Sequence, residues 1–237
     1  MDYSYALLFL LPFVGGFIAM QVSSVNKNLL KLFLAFSGAF LFSVSIVDIL
    51  PTLYQKNTQI NSGVFILAGF FFQIILEYFT KGIEHGHLHS HGRRNQFPTA
   101  IVIGLCVHSF IEGIPLSNIG FLSEAQRVHL IYGVALHEAP AAFTLITLLR
   151  HNRISRSTSY IIMVLYSCMS LFGISLSSIS TGMTFFDSGV LQNILALVIG
   201  TFLHISTTIL FENSENHSFG RFKLMAIAIG VGLALLI

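Results

Sequence analysis

Residues 107–118, VHSFIEGIPLSN, set a histidine, a serine and a glutamate in the middle of a long apolar run. A helix-length later, residues 135–143, ALHEAPAAF, do the same with His137 and Glu138. The medium around those groups decides the fold, and composition identifies it. Of 237 residues, 54% are hydrophobic and 9% charged, against roughly a quarter charged in an ordinary soluble domain, and the mean hydropathy is +0.79. This is the composition of a membrane protein. Dividing the chain at its charged residues leaves eight apolar stretches, near 5–23, 29–54, 62–80, 98–118, 127–149, 157–180, 189–211 and 220–237. Lipid offers backbone amides no partners, so runs of about 20 apolar residues are expected to be helices. The fold class predicted is all-α: a polytopic integral membrane protein with eight transmembrane helices in a single transmembrane domain, residues 1–237.

The basic residues orient the spans. Lys27, Lys31, Lys81, Arg93, Arg94, Arg150, Arg153, Arg156, Arg221 and Lys223 fall in the odd-numbered loops, whereas the even loops hold Lys56 and Arg127. Ten of the 12 thus mark one side, which the positive-inside rule makes cytoplasmic, with both termini extracytoplasmic in a plasma or inner membrane. No small-residue cleavage site stands apart from the first span, which is expected to stay as a helix. The net charge of +2 carries no message about nucleic acid, and no nucleic-acid partner is expected. Cys106 and Cys168, in separate apolar segments, read as small packing residues.

The ionisable groups inside the spans need a reason. A charge at the bilayer centre costs about 2.5–3.5 kcal/mol even on the lenient insertion scale, so Asp48, Glu112 and Glu138 together cost on the order of 7–10 kcal/mol if unpaired. No lysine or arginine is expected inside the membrane to pair with them, whereas a bound cation would. His108 and Glu112 are four apart, one above the other on a helix face. His137 and Glu138 are adjacent and point about 100° apart. Pro115 and Pro140 free the carbonyls of Ile111 and Leu136, and Pro51, three residues after Asp48, frees that of Val47. Broken helices at membrane depth are tolerated where they line a hydrated cavity. Imidazole plus carboxylate suits zinc, iron(II) or manganese better than the all-oxygen ions, and Ser109 can add an oxygen.

Two other classes stay open at this point. HEAPA lacks the second histidine of a HExxH protease site, since Ala141 stands there, but an intramembrane zinc-dependent hydrolase with ligands from several helices is a second reading. A membrane metal sensor is a third. The intramembrane histidines are taken to lie one per span, at His108, His137 and His204. Outside the spans, KGIEHGHLHSHGRRNQF at 81–97 sets His85, His87, His89 and His91 on the cytoplasmic side, as a loose metal collector or a solvated linker. A faint repeat relates GAFLF at 38–42 to GTFLH at 200–204, on spans of opposite direction, as an inverted repeat requires.

With these residues in view, the chain resembles the ZIP family of zinc and iron transporters. HSFIEGIPLS on the fourth span looks like the family's histidine, serine, two variable residues, glutamate and glycine. HEAPAAF on the fifth is similar to its HExPHE pattern, Asp48-Ile-Leu-Pro51 to its acidic or histidine residue before Leu-Pro, and GTFLHI to its glycine-led run on the seventh span. The resemblance implies an inverted-repeat (3+2+3) bundle that moves a divalent metal, zinc foremost, with iron or manganese as alternatives, into the cytoplasm. The metal is then substrate, with no cofactor and no catalytic residue. Carried over by position, His108, Glu112 and His137 would hold one metal, and Ser109 and Glu138, with Glu112 bridging, a second. Asp48 would lie on the outer route in, and His85 to His91 would meet the metal inside. Ala141 and Ala142 stand where the pattern has ligands, and the sixth span offers no carboxylate. His204 and Glu212 are candidate substitutes, Gly15, Gly16, Gly38, Gly173 and Gly200 candidate packing positions, and a homodimer a candidate assembly. The moving part is expected to be the outer spans, one to three and six to eight.

Overall fold

A computed structural model describes residues 3–22, 26–56, 62–83, 96–117, 121–180, 188–211 and 217–236, and among them helix is the only regular structure. The helices are α1 (Ser4–Gln21), α2 (Lys27–Val44), α3 (Leu50–Lys56), α4 (Ser62–Thr80), α5 (Thr99–Gly113), α6 (Glu124–His151), α7 (Arg156–Ser180), α8 (Ser188–Phe211) and α9 (His217–Leu236). A π turn, Ser45–Ile49, joins α2 to α3, so these form one long second span. Among the described residues, seven spans are long and apolar enough to cross a membrane. α9, expected from sequence as the eighth, is not one of the seven, and its first turns carry Arg221 and Lys223. The chain is an integral membrane protein.

Local sequence accounts for the ends and irregularities. The Asn26 side chain accepts from the amides of Asn28 and Leu29 and starts α2. Ser123 and Gln126 form a reciprocal capping box that starts α6. Pro51 has no N–H for the carbonyl of Val47, and the backbone responds with the π turn, in which Leu50 N–H reaches back to Ser45 O. Pro115 acts differently: α5 stops at Gly113 and tightens into a 3₁₀ turn, Ile114–Leu116, with Ile114 N–H on Ile111 O. Pro140 stays within a continuous α6.

The tertiary contacts have a two-fold logic. α1 packs on α6 and α5 on α7; α4 packs on α8 and α2 on α9. Exchanging spans one and six, two and seven, three and eight, and four and five maps each pairing onto another of the set, which is the 3+2+3 inverted repeat in contact form. The strongest pairings gather α1, α5, α6 and α7 into one group and α2, α4, α8 and α9 into the other, with a seam between α2 and α6. The first and sixth spans therefore side with the fourth and fifth, and the division by outer and inner spans expected from sequence is not the one the packing makes.

Two reciprocal glycine contacts show how close the pairs are. A Cβ on Gly69 of α4 would lie 1.8 Å from Leu197 O, and one on Gly200 of α8 would lie 2.0 Å from Ile66 O. Gly113 and Gly173 do the same for α5 and α7, at 2.1 Å from Ser170 O and 2.2 Å from Phe110 O. Small residues that let backbones touch are a usual means of helix association in lipid. Of the other expected positions, Gly15 meets a backbone carbonyl of α6, Gly16 a methionine side chain, and Gly38 only ordinary side-chain contact.

Burial ranks the helices. α4 is 22% buried along its apolar window and presents Val64, Leu67, Phe71 and Ile75 outward, as a lipid-facing helix should. α6 is 78% buried, so groups on it are shielded from lipid on nearly every side. Arg127, assigned to a loop from sequence, sits inside the start of α6, 6% exposed, with Nη1 donating to Tyr5 Oη at 2.7 Å. Tyr5 in turn donates to Leu116 O, tying α6, α1 and the end of α5 together.

Candidate metal site

Of the residues singled out from sequence, His108, Ser109, Glu112, His137 and Glu138 are all buried. On α5, the four-residue spacing stacks His108 over Glu112, with Nε2 3.0 Å from Oε1. α6 brings His137 edge-on to His108, ring centroids 6.0 Å apart and planes at 80°. None of the three is more than 2% exposed. Two helices consecutive in the chain thus place these three side chains beside one another.

Glu138 follows the 100° turn of the helix away from His137 and faces α5 and α7 instead. Its Oε1 accepts hydrogen bonds from Ser109 Oγ at 2.7 Å and from Ser170 Oγ at 2.5 Å, and the two hydroxyls are 3.0 Å apart. Oε2 of Glu112 and Oε2 of Glu138 accept no hydrogen bond from the described residues, and a buried carboxylate oxygen without a partner carries a large desolvation cost. Among the described residues, no three His, Cys, Asp or Glu side chains stand in a common ligating arrangement. Bonds of about 2.0–2.2 Å in a tetrahedral site put donor atoms about 3.3 Å apart. The His108–Glu112 contact is near that spacing, and the edge-on imidazole of His137 is offset from it.

Where the sequence pattern departs from the family's, the structure is hydrocarbon. Ala141 and Ala142 are each 1% exposed, in an apolar cluster with Leu145, Ile146, Met163 and Tyr166. Ser170 of α7 is not among the residues singled out from sequence, where the sixth span shows only the lack of a carboxylate. The signal was present: Ser159, Ser167, Ser170 and Ser177 are all fully buried, and the last three recur at helical spacing.

Two further His–carboxylate pairs lie away from this cluster. Asp48, on the π turn, does not join α5; its Oδ2 is 2.9 Å from Nδ1 of His129 on α6. His129, which a count of one intramembrane histidine per span omits, stands eight residues before His137, about 12 Å along the helix axis. His204 of α8 is 2.8 Å from Oε2 of Glu77 on α4 and lies edge-on to Phe70, so it does not substitute in the α5–α6 cluster. The two pairs join different helices, Asp48–His129 the π turn to α6 and Glu77–His204 α4 to α8. His85, His87, His89 and His91, with Glu212, lie outside the described residues.

Comparison with known proteins agrees with this architecture. The family model described as ZIP zinc transporter matches residues 97–237. Zinc transporter ZIP9-B of Xenopus laevis is 31% identical over 167 residues, covering 65% of this chain and 52% of the relative. Zinc transporter ZIP9 of Xenopus tropicalis is 30% identical over 167 residues with the same coverage. Zinc transporter ZIP9 of Micropogonias undulatus is 30% identical over 159 residues, 61% of this chain and 49% of that one. The chain spans about half the length of these relatives. The matched region contains α5 through α9, and with them His108, Glu112, His137 and Glu138, and the chain belongs to the ZIP zinc transporter family.

Proposed function

We propose that this chain carries divalent transition-metal ions, zinc foremost, across the membrane into the cytoplasm, as a transporter and not an enzyme. The observation that carries this reading is the burial of His108, Glu112 and His137 together on α5 and α6. Imidazole and carboxylate donors in low dielectric are costly alone and become favourable with a borderline cation between them. Glu138, held by Ser109 and Ser170, supplies negative charge beside that site and is the candidate ligand of a second ion. The family membership of the chain and the names of its relatives, zinc transporters, support the same substrate class.

The route follows from where the remaining groups lie. Asp48 is on the outer approach, and Glu77 with His204 receives the ion on the inner side, before the cytoplasmic tract His85 to His91. The seam between the two helix groups is where relative movement would expose the central site to either side in turn. Zinc uptake into proteoliposomes tests the proposal, with His108→Ala as matched control. Saturable uptake lost in the variant supports transport through this site; tight zinc binding without uptake refutes it and moves the reading to a sensor.

A further inference from the structure

We propose that His129 and Asp48 form an outer metal-capture site spanning the seam between the two helix groups, with His129 as a ligand for the incoming divalent ion. The inference rests on the transport reading for the identity of the ion, and on the following geometry for its place.

Asp48 belongs to the π turn in the α2 group, and His129 to α6 in the other group. Nδ1 and Oδ2 are 2.9 Å apart. A zinc-like ion bound to both atoms needs them about 3.3 Å apart, so a few tenths of an ångström of side-chain movement converts the contact into a chelate. In the chelate the imidazole carries its proton on Nε2, and the ion takes the lone pair of Nδ1 and one of Oδ2, so that the two ligands together present a charge of −1 to the cation. The side chains are 13% and 26% exposed, against 2% or less for the central trio, which suits a site that loads from solvent and completes its coordination with water.

The surrounding residues hold this geometry. Gln126, already fixed by the capping box, donates from Nε2 to the main-chain oxygen of Asp48 at 2.9 Å and to Thr52 Oγ1 at 2.6 Å. Thr52 Oγ1 donates to the same Asp48 oxygen at 3.1 Å. The main-chain oxygen of Asp48 is thereby satisfied, and the carboxylate faces His129. Arg127, the cation nearest in sequence, is drawn away onto Tyr5 by a hydrogen bond and by its guanidinium lying 5.5 Å from the ring centre. An ion held between α2 and α6 at this height also draws the two groups together on the outer side, about two turns above His137.

The test separates ligation from a plain hydrogen bond. His129→Asn keeps a side-chain N–H that can donate to Asp48 but removes the imidazole lone pair; His129→Ala removes both. In zinc uptake by proteoliposomes, both variants are expected to raise the half-saturating zinc concentration about tenfold, as loss of one of two protein ligands should, with the maximal rate within about twofold. His129→Asp, with two carboxylates, is expected to move the preference from cadmium towards manganese, because oxygen donors favour the harder ion. Wild-type kinetics and metal ranking in His129→Asn would overturn the proposal and leave a structural hydrogen bond. A second measurement stands apart from transport. In a Cys106→Ala, Cys168→Ala background, external zinc should slow labelling of His129→Cys by an impermeant maleimide, and Asp48→Asn should abolish that protection. Protection without any wild-type uptake would sustain the capture site while refuting the transport reading; uptake without protection would refute the capture site alone.

Discussion

Replacing Gly173 by alanine should disturb the central cluster without touching any polar residue in it. A Cβ at Gly173 would sit 2.2 Å from Phe110 O, where tight contacts begin at 3.0–3.4 Å. The neighbour is backbone and cannot rotate away, so α7 and α5 must part by about 1 Å in a close-packed interior. That shift acts across the contact that holds Ser170 to Ser109 and to Glu138. Moving α7 by about 1 Å stretches the bond from Ser170 Oγ to Glu138 Oε1 beyond hydrogen-bond length, and leaving a buried carboxyl oxygen without that donor costs about 1–3 kcal/mol. With the lost packing, a destabilisation of about 2–5 kcal/mol is expected. The assay is a double-mutant cycle of Gly173→Ala and Ser170→Ala, by denaturant unfolding in detergent and by zinc uptake. If the glycine acts through the serine, the two effects overlap, with a coupling of about 1–3 kcal/mol. Full additivity, or wild-type stability and uptake in Gly173→Ala, would refute the link between helix approach and the Glu138 cluster.

His108→Ala and Glu112→Ala should each abolish zinc bound at the membrane centre, read as metal per purified protein; unchanged stoichiometry in Glu112→Ala would count against the site. Glu77→Ala, on the inner side, should lower the maximal uptake rate while leaving half-saturation near wild type, and a changed half-saturation with an unchanged rate would move that pair off the inner route. Deleting residues 85–91 should slow uptake without stopping it, and complete loss with normal folding would make the tract an obligatory step. Gly69→Ala, placing a methyl 1.8 Å from Leu197 O, should lower the unfolding midpoint of the α4–α8 pair, and a wild-type midpoint would show that the helices can separate at little cost.

Much of the architecture was legible in the chain because hydrophobic thickness and backbone satisfaction leave a 20-residue apolar run few choices but a helix. The His108–Glu112 spacing placed two groups on one face before any tertiary contact was known. The GAFLF and GTFLH segments pointed to the exchange of spans two and seven that the packing follows. Partnership between distant helices was not legible. Ser170 looked like any small residue in an apolar helix until α7 brought it to Glu138. His129 went unread because its carboxylate is 81 residues away on a π turn, and Pro51 announced an irregularity there without saying which way Asp48 would face. Sequence alone determined the medium, the spans and the central histidine–glutamate pair, since these depend on composition and on local periodicity. Only the tertiary structure decided the grouping of the spans and the pairing of Asp48 with His129 and of Glu77 with His204, because such pairings depend on how closely particular helix faces approach.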